Sequence, residues 1–299
     1  MTRSTRSRPK RAPDVHAWGF EAIGTAWQID TREPVAPDVR TAVLDRIEEF
    51  DRAWSRFRPD SLVTQMSERA GTWTLPDEAS QLLGFYAELH DVSDGAVNPL
   101  IGRTLSDLGY DADYSLVASV EPAGVPPWSS IELSEGVLTT TRPVLLDVGA
   151  AGKGLLVDLV AGIVGRETHQ FTVDASGDLY HGGATPLRIA LEHPLDPTRA
   201  IGIAEIDPED ALCASATNRR AWGDGLHHVV DARTGRPTDD VIATWVVVPQ
   251  SCMRADGLAT AHFFTDPVAL MERFQHQFVR MHADGRVQWS PDFPGEIFT

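Results

Sequence analysis

Residues 222–263 read WGDGLHHVVDARTGRPTDDVIATWVVVPQSCMRADGLATAHF, and the succession of patterns inside them sets the fold class. A histidine pair, His227 and His228, precedes a turn at Asp231, Arg233, Thr234 and Gly235; an apolar strand and a helix carrying Asp256 and Thr260 follow. Four residues make about one helical turn, so the Asp256 carboxylate and the Thr260 hydroxyl share a face. Two hard oxygens suit Mg²⁺. With His and Arg close by, they point to chemistry on a phosphate or pyrophosphate rather than to a redox metal. The competing reading is an N-terminal helix charge and a Thr bonded to its own backbone.

Working outward, the chain from residue 170 gives short strands at FTVDA, LRIAL, IGIAEI, ALCAS, HHVV and ATWVVV, separated by Gly, Pro and Asp turns that favour antiparallel pairing. Helices are expected at Ala255 to Phe264 and Pro267 to Gln277, then a hairpin of FVRMH and VQWS about Asp284-Gly285. On the N-terminal side, residues 17 to 30 read as a strand pair or one long bent strand with Gly24 at the kink. Pro37 and Asp38 open a helix whose Val39, Val43, Ile47, Phe50 and Trp54 fall on one face, and Arg58-Pro59-Asp60-Ser61 forces an extended segment and then a turn. A helix from about Asp77 to Asp91 buries Leu82, Leu83, Tyr86 and Leu89, and stops at the Ser93-Asp94-Gly95 turn. Residues 111 to 129 read as a mobile loop, followed by a hairpin about Glu135-Gly136, a buried strand at Val144 to Val148 and a helix through Leu155 and Val164. Strands and helices alternate without a βαβ rhythm. The expectation is α+β: mixed, mainly antiparallel sheets with packed helices.

Composition narrows the class. A chain of 299 residues with 42% hydrophobic content builds a real core, as one domain over 17–299 or two intimately packed subdomains, behind a basic tail at 1–16. The formal charge is −17, although Arg3, Arg6, Arg8, Lys10 and Arg11 crowd the start, and so acidic a body argues against nucleic acid as a partner. The basic start lacks the apolar stretch of a secretory signal, and no run of 18 apolar residues occurs, so the expectation is a cytoplasmic enzyme without a membrane partner. Cys213 and Cys252 lack disulfide or metal spacing and read as core.

Three further stretches carry chemistry. DVGAAGKGLLVD places Gly149, Gly152 and Gly154 before a helix N-terminus, which favours an anion; otherwise it is a tight strand-to-helix turn with a surface Lys153. It is not a P-loop, because Asp147 and Gly154 stand where that motif needs Gly and Ser or Thr. His227 and His228 alternate across a strand, so one faces the site; held by the Asp231 carboxylate, it would accept a proton from a hydroxyl, unless it is merely structural. Ser176, Gly177 and Asp178 form a small-residue turn that lets a ligand approach the backbone, or an ordinary hairpin.

In order along the chain, Gly24-Thr25, Arg58 to Ser61, Asp94-Gly95 with Pro99, Asp147 to Asp158, Ser176-Gly177-Asp178, His227 to Gly235, and Asp256 with Thr260-Ala261 resemble the motifs of the ApbE-like FAD:protein FMN transferases. The resemblance implies an ApbE-like, T-fold-related architecture. It also implies a transferase that binds FAD, cleaves its pyrophosphate with Mg²⁺ (or Mn²⁺), and joins FMN by a phosphoester to a Thr or Ser of a cytoplasmic flavoprotein, releasing AMP. Under the same resemblance Asp256, Thr260 and the Gly152 carbonyl would hold the metal, and His228, with His227 less favoured, would take the acceptor proton beside Asp231. Phe57, Arg58, Asp94, Gly149, Lys153, Asp178 and Thr234 would contact FAD. An FAD pyrophosphatase and a non-catalytic flavin binder are the alternatives. Departures from the family pattern are Gly152 for Ala, Ser176 for Gly, Ala232 for Pro, and Ala216-Thr217-Asn218-Arg219-Arg220 in place of Gly-Asp-Tyr.

Overall fold

The computed structural model describes residues 15–119 and 121–298; residues 1–14 of the expected basic tail lie outside them. The apolar run of residues 241–248 becomes the strand Val241–Pro249, buried on both faces. It is an inner strand of an eight-stranded sheet with the spatial order His16–Ala22, Thr25–Thr31, Phe171–Asp174, Asp178–His181, Asp210–Ala216, Val241–Pro249, Gln277–His282 and Val287–Trp289. Each neighbouring pair is antiparallel. Side chains alternate across it. Val246 and Val248 join the core under the helices, whereas Trp245 and Val247 face a second core with Leu191 and Ile206 from a three-stranded sheet of Gly295–Ile297, Asp196–Ile206 and Leu187–His193, and with Phe293 just before it.

Helix α1 (Pro37–Trp54) buries the expected Val39, Val43, Ile47, Phe50 and Trp54. α2 (Leu62–Glu68) stands where only a turn was expected: Arg58 to Ser61 does turn, and Ser61 then caps the helix by accepting the Thr64 N–H. α3 (Ala79–Val92), α4 (Gly102–Asp107), α5 (Gly152–Val164), α6 (Cys252–Ala261) and α7 (Pro267–Arg273) complete the α-helices among the described residues. α7 stops before Gln277 because Phe274 is extended.

Other differences from the sequence reading have local causes. Of the two readings of residues 17 to 30 the strand pair is the one formed, because Ile23 and Gly24 both take positive φ, but pairing begins earlier, at His16. Val144 to Val148 is extended without joining a sheet; the Val144 and Asp147 amides bond to the Met66 and Pro99 carbonyls. The small sheet Gly71–Thr74, Val137–Thr140 and Ile131–Ser134 contains the expected hairpin plus an unforeseen third strand. Instead of one strand, HHVV splits between two short ladders, Ala221–Trp222 with Leu226–His227 and Val230–Asp231 with Arg236–Pro237.

Candidate active site

Helices α5 and α6 are cross-stitched. The Asp158 carboxylate of α5 accepts the Cys252 and Met253 amides that open α6, at 2.7 and 3.0 Å, and Asp256 of α6 accepts the Gly154 N–H of α5 at 2.9 Å. Gly154 is required by proximity, since a β-carbon there would lie 2.3 Å from the Cys252 carbonyl oxygen and 2.7 Å from Asp256 Cβ. Burial pushes the Asp158 carboxyl up to about 6 despite its backbone donors. These bonds fix Asp256, and Thr260 one turn later lines the same cavity.

The cavity is about 920 Å³, toward the upper end for small-molecule sites and sufficient for an elongated ligand. The glycine-rich turn forms one wall and is held from three sides. Asp147 accepts the Gly149 N–H at 2.8 Å and the Arg56 Nε–H at 2.5 Å; Arg56 also donates to the Tyr110 carbonyl, and the Tyr86 hydroxyl accepts the Ala150 N–H at 3.1 Å. Burial alone would push the Asp147 carboxyl up, but Arg56 holds it below the usual carboxylate range. Lys153 is no surface lysine. Its ammonium sits 2.6 Å from Asp178 and donates to the Ala175 carbonyl at 3.1 Å. Burial pulls that ammonium down, and the Asp178 and Asp256 carboxylates more than offset this. Asp256 in turn is held well above the ordinary carboxylate range, first by burial and then by Asp178. Two buried carboxylates therefore face one ammonium, which leaves room for another positive charge.

The histidines separate by role. His228 lines the cavity, and its Nδ1 lies 3.4 Å from the Arg220 carbonyl oxygen. Burial and the Arg220 charge lower its pKa to about 4. His227 points away: it is buried, with Nε2 2.8 Å from the Thr238 carbonyl, and serves the structure rather than the cavity. Asp231 does not hold the imidazole as expected. Its carboxylate takes the Arg233 backbone N–H and pairs with the Arg233 guanidinium, because the intervening turn closes on itself.

Asp94 and Thr234 also lie outside the cavity lining. Their two turns pack against each other, joined by the Ala232 N–H on the Ala96 carbonyl, so that Ala96 to Asn98 and His228 to Val230 form the wall instead. Phe57, Arg58, Gly149, Gly152, Lys153 and Asp178 do line the cavity. Arg58, however, spends its charge on Glu48, Asp51 and Asp60. Unforeseen were Arg56, Tyr110 and Tyr114; the Tyr114 ring stacks on Phe57 at 5.1 Å, 10° from parallel. The one sequence signal for Arg56 was its place beside Phe57, and Tyr114 had none within its loop.

The sequence profile described as the ApbE family matches residues 23–282. The chain is a member of the ApbE family. Similar proteins include one from Vibrio cholerae named FAD:protein FMN transferase, 28% identical over 276 residues, 84% of this chain and 81% of that one. Another of that name, from Klebsiella pneumoniae, is 21% identical over 304 residues, 91% and 87% of the two chains. Among solved structures, the ApbE protein of Thermotoga maritima superposes with a TM-score of 0.81 at 19% identity, covering 93% of this chain and 97% of that one. The flavin transferase ApbE from Vibrio cholerae gives 0.77 at 22% identity over 94% and 98%. The α+β, mainly antiparallel architecture expected from the sequence is thus the ApbE fold. No helix among the described residues is long and apolar enough to cross a membrane.

Proposed function

We propose that this ApbE-family chain is an FAD:protein FMN transferase that works with Mg²⁺, or Mn²⁺ in its place, on a Thr or Ser of a cytoplasmic flavoprotein. The observation that carries the reading is the convergence of Asp256 and Thr260, the Lys153–Asp178 pair and His228 on one dinucleotide-sized cavity. The names of the similar proteins point the same way.

The donor set fits a hard divalent cation. Asp256 and Asp178 are buried with one ammonium between them, and Thr260 adds a neutral oxygen. Among the described residues no cluster of three or more His, Cys, Asp or Glu forms a cage, and Mg²⁺ is commonly held by one or two carboxylates plus substrate phosphates. Asp256, Thr260 and the Gly152 carbonyl are the proposed protein ligands. Held there, the ion would supply positive charge to the phosphate oxygens as the bond breaks.

The remaining work falls to the chain. Phe57 and Tyr114 offer an aromatic wall for a planar ring, and the turn at Gly149 to Gly152 lets phosphate approach the backbone of a helix N-terminus. His228, neutral and with Nδ1 toward the Arg220 carbonyl, keeps Nε2 free to take the proton of the acceptor hydroxyl. That oxygen bonds to the FMN phosphorus, the pyrophosphate P–O bond breaks, and AMP leaves with the electron pair.

The test is incubation of the purified protein with FAD and MgCl₂, with and without a lysate of the source cell. AMP release with a flavin-mass adduct on a Thr or Ser of one lysate protein is the expected result. Asp256→Asn should lower it by about a hundredfold or more, a loss in keeping with disturbing a metal's ligands, without lowering thermal stability, because neutralisation relieves the repulsion from Asp178. Free FMN and AMP alone would establish a pyrophosphatase instead, and unchanged FAD a binder.

A further inference from the structure

The segment that departs most from the family pattern, Thr217–Arg220, is a 3₁₀ turn whose Asn218, Arg219 and Arg220 line the cavity. Two of its side chains tie it down: the Asn218 amide donates to the Pro194 carbonyl, and Arg219 pairs with Glu192 at 2.9 Å. The ladder that follows pairs Ala221 with His227, so the next residues outward, Arg220 and His228, stand side by side. There the Arg220 carbonyl accepts the His228 backbone N–H at 3.2 Å and lies 3.4 Å from its Nδ1.

The Arg220 side chain is placed differently from every other cationic side chain lining the cavity. Arg56 is spent on Asp147, Arg58 on Glu48, Asp51 and Asp60, Lys153 on Asp178, and Arg219 on Glu192. Among the described residues, no carboxylate pairs with Arg220. Its guanidinium donates to the neutral Tyr110 hydroxyl and lies 5.6 Å from that ring's centroid. A cation bonded only to a phenol and a π-face, with the Asp147 carboxylate within its field but already bonded to Arg56, gives up little when an anion arrives, and a planar fork of donors matches phosphate oxygens in pairs.

We infer that Arg220 is the phosphate-binding arm of this site: its guanidinium leaves Tyr110 to clasp the pyrophosphate of the dinucleotide, while its backbone carbonyl orients His228. This rests on the flavin-transferase reading for the identity of the dinucleotide, and on the cavity alone for the phosphate. The arm stabilises charge developing on the departing phosphate, beside the base and opposite the α6 carboxylate. The same guanidinium acts on the imidazole, whose other charged neighbours are His227, beside it in the chain, and Asp147 on the glycine turn.

Arg220 is exposed, so Arg220→Ala and Arg220→Lys should both fold. Calorimetric binding of FAD, ADP, riboflavin and adenosine, together with AMP release from FAD, tests the proposal. Arg220→Ala should weaken FAD and ADP by about ten- to a hundredfold, the worth of one or two charge-assisted hydrogen bonds. Riboflavin and adenosine, which carry no phosphate, should bind as to the wild type. Arg220→Lys should recover part of the loss, having the charge without the fork. In Arg220→Ala the acidic limb of kcat/KM should also move up in pH, which loss of packing alone would not produce. Unchanged FAD and ADP affinity in Arg220→Ala, or equal losses for all four ligands, would overturn the arm. Wild-type protein that binds ADP through Arg220 yet leaves FAD intact would keep the arm and sink the flavin reading.

Discussion

His228 shows how one residue's chemistry depends on its burial. An exposed imidazole titrates near 6.5, but here burial, with Arg220 alongside, lowers the pKa to about 4. As pH falls below 6.5 the unfolded chain takes up this proton and the native chain does not, so this contribution to stability is complete above 6.5 and lost progressively down to about 4. The same shift keeps the proposed base unprotonated across that window. At saturating Mg²⁺, kcat/KM should therefore hold level from neutral pH down to about 5 before falling. An acidic limb centred at 6.5 in rate measurements would exclude His228 in this environment as the base. Neighbouring His227, identical in type, has no such role because the strand directs it to the Thr238 carbonyl.

Among the elements, α5 and α6 set the geometry of the proposed metal ligands, and they do so through a glycine. Gly154→Ala should force the helices apart, at a cost of about 1–3 kcal/mol for overpacking, and pull the Gly154 amide from Asp256. Gly162, on the exposed side of the same helix, has nothing within 4 Å of its missing β-carbon. Gly162→Ala should instead stabilise by about 0.5–1 kcal/mol through helix propensity. Denaturant melts of the two variants should move in opposite directions, with transfer activity lost only in Gly154→Ala. If both melts move alike, the close approach of the helices is not what the glycine serves.

Taken whole, the molecule gathers Asp178, Asp256 and Lys153 from a hairpin and two helices into one buried site where two carboxyl groups share one ammonium. A bound divalent cation should stabilise the native state, by about 2.7 kcal/mol at a hundred times its dissociation constant. Protons compete for the same carboxylates. Thermal denaturation with MgCl₂ should show a clear rise in Tm at pH 8 and a much smaller one at pH 5. An equal rise at both would place the ion on the acidic surface instead.

Much of this was legible in the sequence because the signals are local. The periodicities of α1, α3 and α5, the apolar strand at 241–249, the one-turn spacing of Asp256 and Thr260, and the glycines around the start of α5 depend only on residues near one another in the chain. The partner of each charge was not legible. Asp231 was expected beside a histidine and closes its own turn on Arg233; Lys153 was read as near a ligand turn and is paired with Asp178; Arg220 belonged to an anomalous segment and stands over the site. The sequence alone determined most of the elements, their order and the residue types available for chemistry, since backbone geometry and hydrophobic periodicity act within a few residues. Only the tertiary structure decided which charges are compensated and which remain free to bind a ligand. Coulomb energy and desolvation depend on distances through space that the chain order does not contain.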